Sequence, residues 1–107
     1  MTRDAVLAWL EARRPRPPDA MEGHLEAAVA DGPPPDPRLP LPDHLALVGA
    51  RLLARVTARP AGGRELAPDL LAADAFVTYA FEAQAEADVT GLAALAQRIT
   101  GGTRAAP

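Results

Sequence analysis

Residues 66–87 read LAPDLLAADAFVTYAFEAQAEA. At about 100° per residue, a helix over this stretch carries Tyr79, Phe76, Ala80, Ala73, Val77 and Phe81 on an apolar arc of roughly 200°. Leu66 and Leu70 extend the arc toward the start, and Asp74, Thr78, Glu82 and Glu86 fall on the other side at every fourth residue. A surface helix needs only a stripe of about 100°. A helix with so wide an arc is packed from several directions, either by its own chain or in part by a second one. Ala72, Ala73, Ala80, Ala83 and Ala87 are small enough to let another helix approach closely.

The stretch opens on Pro68-Asp69, and the same pair recurs at Pro18-Asp19 and Pro42-Asp43. Proline suits a first helical turn because its missing N–H has no partner there. Aspartate in that turn meets the positive end of the helix dipole. The pair therefore marks three helix starts, although the segments behind it are too unlike to form a repeat. Working outward, the spacing predicts helices over 3–14, 17–31, 42–58, 66–87 and 91–100. Thr2 serves as an N-cap for the first. Val6, Trp9, Leu10 and Arg13 share one face of the first helix by their spacing, and Met21, Leu25, Ala28 and Val29 face inward from the second. Leu45, Val48, Leu52 and Val56 do so from the third, and Leu92, Leu95, Ala96 and Ile99 from the fifth. Pro15, Gly32, Pro60 with Gly62-Gly63, and Gly101-Gly102 are read as stops.

Residues 32–41, GPPPDPRLPL, fit neither a helix nor a central strand. They predict an extended proline-rich crossover of roughly 30 Å at about 3.1 Å per residue, pinned by Leu39 and Leu41. No stretch alternates apolar and polar residues as a strand requires. The expected fold is all-α: a compact bundle of four to five helices with a proline-rich crossover between the second and third. One domain spans 1–100, and 101–107 is expected to be a flexible tail.

Composition narrows the chemistry. The 107 residues include no Cys, Ser, Lys or Asn, only two His, and eleven basic residues that are all Arg. Those absences remove the usual nucleophiles, the Schiff-base amine and the soft metal ligands. The abundance of Ala, Arg, Pro and Gly fits a G/C-rich, bacterial type of genome. A net charge of −3 argues against bulk attraction to nucleic acid or an anionic membrane. The apolar run 5–10 is short and is followed by Glu11, Arg13 and Arg14, unlike a signal peptide. No run approaches the roughly 18 residues of a membrane span, so a cytoplasmic location is expected.

Few constellations point to a site. Glu82 and Glu86 lie one turn apart, yet the Glu-x-x-His pattern of di-iron bundles is absent, so the acidic stripe reads as a solvated face. His24 and His44 have no acidic or His partner three or four residues away. Asp43, Glu22, Glu26, Thr57 and Thr78 are possible partners in space, and spacing selects none. Arg51, Arg55 and Arg59 form a stripe that suits either phosphate contact or pairing across a hairpin, Arg51 opposite Asp74, worth about 0.5 kcal/mol. Arg38 to Pro42 resembles a fragment of a proline-rich ligand, and the plainer reading is the crossover itself. No catalytic, cofactor-binding or metal-binding residue is expected.

The leading expectation is a non-enzymatic protein-interaction module, a regulatory or accessory subunit that binds itself or a partner through an apolar helix face. Phe76, Tyr79, Ala80 and Ala83 would form that face, with Arg51 and Arg55 at its polar rim. The alternative is a carrier or sensor of a small apolar ligand held between helices by Leu70, Val77 and Phe81, with Tyr79 or a His as polar contact. A third reading is a transcription-related protein that uses the Arg51/Arg55/Arg59 stripe.

Overall fold

The structure, a computed structural model, describes residues 1–59 and 62–103, with only the backbone at Gly102 and Thr103. Five α-helices follow one another: α1 Arg3–Glu11, α2 Asp19–Ala30, α3 Leu41–Thr57, α4 Ala67–Asp88 and α5 Leu92–Thr103. Short 3-10 turns, Arg64–Leu66 and Val89–Gly91, lead into α4 and α5. No strand occurs among the described residues. The chain is an all-α bundle, as its periodicity predicts.

Each Pro-Asp pair begins a helix. Pro42 and Pro68 lie in the first turns of α3 and α4, and Pro18 sits one position earlier, as the N-cap of α2. Thr2 caps α1, its hydroxyl accepting from the Ala5 N–H at 3.1 Å. α1 stops at Glu11, short of the predicted 14, because the residue before a proline is disfavoured in helical geometry. The Arg14 guanidinium then donates to the Glu11 and Arg13 carbonyls at 2.9 and 2.7 Å, satisfying acceptors the helix leaves behind.

The proline-rich segment is not one straight run. Asp36 folds it: its carboxylate accepts from the Arg38 N–H at 2.8 Å and its carbonyl from the Leu39 N–H at 2.9 Å. An Asp side chain that captures its own backbone competes with extended conformation, so the predicted 30 Å spacer becomes a run with a turn in it. Leu41 packs against the core. The glycine stops differ from expectation too. α5 runs through Gly101 and Gly102 to Thr103, and no described glycine has positive φ. Without the left-handed cap that normally ends a helix, two glycines merely weaken α5. Pro60 and residues 104–107 lie outside the described residues.

α3 and α4 form the closely packed antiparallel centre. A Cβ built on Gly49 of α3 would lie 3.2 Å from the Ala73 carbonyl oxygen, 3.3 Å from Phe76 Cβ and 3.3 Å from Val77 Cγ2. A glycine facing Ala73, Phe76 and Val77 lets the two backbones approach; a larger residue at position 49 would hold them apart. α1 and α2 close over the centre through Val6, Leu10, Leu25 and Val29, and α5 through Leu95, all buried. Arg98 of α5 donates from Nε to Asp43 in the first turn of α3 at 2.8 Å. The radius of gyration is 13.6 Å, close to the roughly 13 Å of a compact 100-residue domain.

Candidate functional site

The acidic stripe of α4 is a socket for α1. The Trp9 indole N–H donates to Glu86 Oε1 at 3.1 Å, and Arg13 Nη1 donates to Glu86 Oε2 at 2.5 Å, with Glu82 at 3.8 Å. The Arg13 guanidinium lies 3.7 Å over the Trp9 ring, and Trp9 meets Tyr79 edge to face at 5.9 Å. These are favourable cation–π and aromatic geometries. The hydrogen bonds from Arg13, then from Trp9, hold the Glu86 carboxyl below the usual carboxylate range. Burial, then the Glu82 charge, pushes the Tyr79 phenol up, against a smaller opposing pull from Arg13. The stripe is thus a docking seam rather than a wholly solvated face. Among the described residues, no group of three His, Cys, Asp or Glu side chains is placed to hold a metal ion.

The structure separates the residues expected to form an interaction face. Phe76 and Ala80 are 0% exposed and Ala83 is buried, all in the bundle's own core. Tyr79 is half-buried beside Trp9. The physical reason is the packing of α3 along this face of α4, closest where Gly49 meets Ala73, Phe76 and Val77. Phe76, Ala80 and Ala83 are therefore core residues, a correction to the sequence expectation. Arg51 and Arg55 remain exposed but line a different flank of α3. Of the start of the predicted arc, Leu66 is buried and Leu70 stays open, 50% exposed next to Leu71 at 56%.

Arg51 and Arg55 border a cleft of about 460 Å³ between α2, α3 and the start of α4. Ala28, Val48 and Leu52 supply apolar lining, and His24, Asp31 and Asp69 supply polar groups. His24 Nε2 stands 2.8 Å from Asp69 Oδ1, and Arg55 Nη2 is 3.7 Å from the same oxygen. The expected Arg51–Asp74 pair does not form; the ion pair between these helices is Arg55 with Asp69 instead. The Arg51 and Asp31 side chains have no hydrogen bond or ion pair among the described residues. The arrangement can orient an imidazole against a carboxylate and offer charge of both signs. Among the described residues, no hydroxyl, thiol or amine lines it.

Sequence reading did not find the His24–Asp69 pair. The two residues are 45 apart, and Pro68-Asp69 reads locally as a helix start. Of the five partners suggested, four are engaged elsewhere, and Glu26 makes no hydrogen bond or ion pair among the described residues. Asp43 binds Arg98, Glu22 pairs with Arg16, and the Thr57 and Thr78 hydroxyls donate to carbonyls of their own helices. His44 is 1% exposed and neither ring nitrogen has a partner among the described residues. Burial, then the positive charge of Arg3, holds its imidazole below the ordinary histidine range. Arg3 itself donates to the Gly32 carbonyl at 2.9 Å, tying α1 to the end of α2.

No helix among the described residues is long and apolar enough to cross a membrane. No protein-family profile, curated protein or solved structure matches the chain.

Proposed function

We propose that the chain is a small protein-interaction module that associates with itself or with a partner chain through the apolar first turns of α4. The observation that carries this reading is the adjacent pair Leu70 and Leu71, 50% and 56% exposed on a helix whose other apolar residues are largely covered. Full burial of a leucine is worth about 1.5–3 kcal/mol, so covering the remaining half contributes about 1 kcal/mol for each. The scarcity of nucleophiles favours binding over covalent chemistry. Twofold self-association is the commonest form such a contact takes.

Native mass spectrometry of the protein from the cells that express it, beside the Leu70→Glu/Leu71→Glu double variant, tests the reading. A multiple of the chain mass, or a retained second polypeptide, is expected for the wild type. The bare chain is expected for the variant, with unchanged helical circular dichroism. A monomeric wild type, or a variant that keeps its companion, overturns it. The apolar-ligand and nucleic-acid readings gain no supporting contact. Leu70 is half in solvent, and Arg55 is turned toward Asp69.

A further inference from the structure

The cleft between α2 and α3 holds two opposite charges that do not meet. Asp31 is the C-cap of α2, and Arg51 lies on the facing side of α3. The Asp31 carboxylate sits at the negative end of the α2 dipole, an unfavourable place for an anion, and makes no ion pair among the described residues; the nearby Arg3 guanidinium is spent on the Gly32 carbonyl at 2.9 Å. Arg55 faces Asp69 at 3.7 Å, whereas Arg51 has no acidic partner among the described residues. Accessible apolar lining from Ala27, Ala28 and Ala54 accompanies the two charges. The volume of about 460 Å³ lies within the roughly 300–1,000 Å³ typical of small-molecule sites.

We infer that this cleft binds a small zwitterion with an apolar side chain, of the class of a free aliphatic α-amino acid. The ligand ammonium meets Asp31 and the carbonyl end of α2. Its carboxylate meets Arg51, whose planar fork suits two parallel hydrogen bonds to a carboxylate. Its side chain rests on Ala27, Ala28 and Ala54. A simple anion would leave Asp31 facing a like charge, and a simple cation would do the same to Arg51. Only a ligand with both charges answers both groups. The site goes beyond the protein-binding reading and uses neither Leu70 nor Leu71, so each stands or falls on its own measurement.

The test is an amide NMR titration of the whole protein with L-leucine, N-acetyl-L-leucine and L-leucinamide. Leucine is expected to shift the cleft amides saturably at millimolar concentration, and each capped analogue to bind at least about tenfold more weakly, a factor equal to about 1.4 kcal/mol. In Asp31→Asn the advantage of leucine over its acetyl derivative disappears. In Arg51→Gln its advantage over the amide disappears. Both side chains are at the surface, so Arg51→Gln is expected to melt close to the wild type and Asp31→Asn, relieved of an anion at the end of α2, at or slightly above it, which shows that both variants fold. No saturable shift with leucine overturns the inference. So does equal binding of all three compounds, which marks an apolar cleft without charge recognition, or a leucine affinity that neither variant alters.

Discussion

Gly23 and Gly49 both lie inside helices, and the structure gives them opposite roles. A Cβ at Gly23 meets nothing within 4 Å, whereas one at Gly49 meets the Ala73 carbonyl at 3.2 Å and the Phe76 and Val77 side chains at 3.3 Å each. Glycine costs a helix interior about 0.5–1 kcal/mol relative to alanine. Gly23→Ala is therefore expected to stabilise the protein by about that amount. At Gly49, valine adds branched volume where a single Cβ is already tight, and overpacking of this kind costs about 1–3 kcal/mol. Its modest gain in helix propensity offsets little of this, so we expect Gly49→Val to destabilise by about 2 kcal/mol. For a domain of about 100 residues, 1 kcal/mol moves Tm by roughly 4–8 °C. The two variants should then straddle the wild type, Gly23→Ala several degrees above it and Gly49→Val about 10 °C below. Thermal and urea unfolding followed by circular dichroism measure both. A Gly49→Val protein within about 0.5 kcal/mol of wild type, the range of an ordinary surface substitution, would refute the close approach of α3 and α4.

Three further outcomes follow from the same packing. Phe76→Ala should cost about 3–5 kcal/mol, as aromatic truncation in a core does, and chemical denaturation of a variant that loses under 1 kcal/mol would return Phe76 to the surface. For His44 the folded imidazole titrates below its ordinary value because of burial and then Arg3, so below about pH 6.5 the unfolded chain binds more protons. Stability falls as pH drops through that range, and His44→Leu should flatten the dependence; parallel pH profiles of Tm would contradict it. For Glu86 the folded carboxyl is lowered by Arg13 and then Trp9. Its contribution is present above the unfolded carboxylate value and is lost as pH falls through the folded one. Glu86→Gln should therefore trail the wild type at neutral pH and converge with it in acid, and a gap that persists in acid would argue against the seam.

The helices were legible because their signals are local. Pro-Asp starts, an apolar period of 3.6 and the Thr2 cap each act within a few residues. The wide arc of residues 66–87 told correctly that this helix is surrounded. It did not tell by what, because an alanine face accepts a neighbouring helix whether that helix belongs to the same chain or to another. Gly49 sits at the crossing, but Gly23 is as central in its own helix and meets nothing within 4 Å, so a mid-helix glycine by itself does not mark a close approach. Arg13 read as part of an apolar stripe, and its actual partners, Glu82 and Glu86, are some seventy residues away. The pairing of His24 with Asp69 depends likewise on how α2 lies across the hairpin, and spacing along the chain carries no trace of it. Where helices end was the weakest reading. Arg14 closes α1 with its own side chain, and the glycines of α5 continue the helix.

Trp9 is the one tryptophan, and its indole hydrogen bond spans 77 positions. The α3–α4 hairpin joins parts of the chain that are much nearer in sequence, so closing it forfeits less chain entropy. Contacts of that local kind form early in folding, and long loops close late. Tryptophan emission therefore watches the joint that seals the molecule, while far-ultraviolet ellipticity is dominated by the hairpin. In a chevron experiment, loosening the Trp9 joint should quicken unfolding, and disturbing Gly49 should slow folding. The kinetic lock of the fold and its nucleus would then sit on opposite sides of α4.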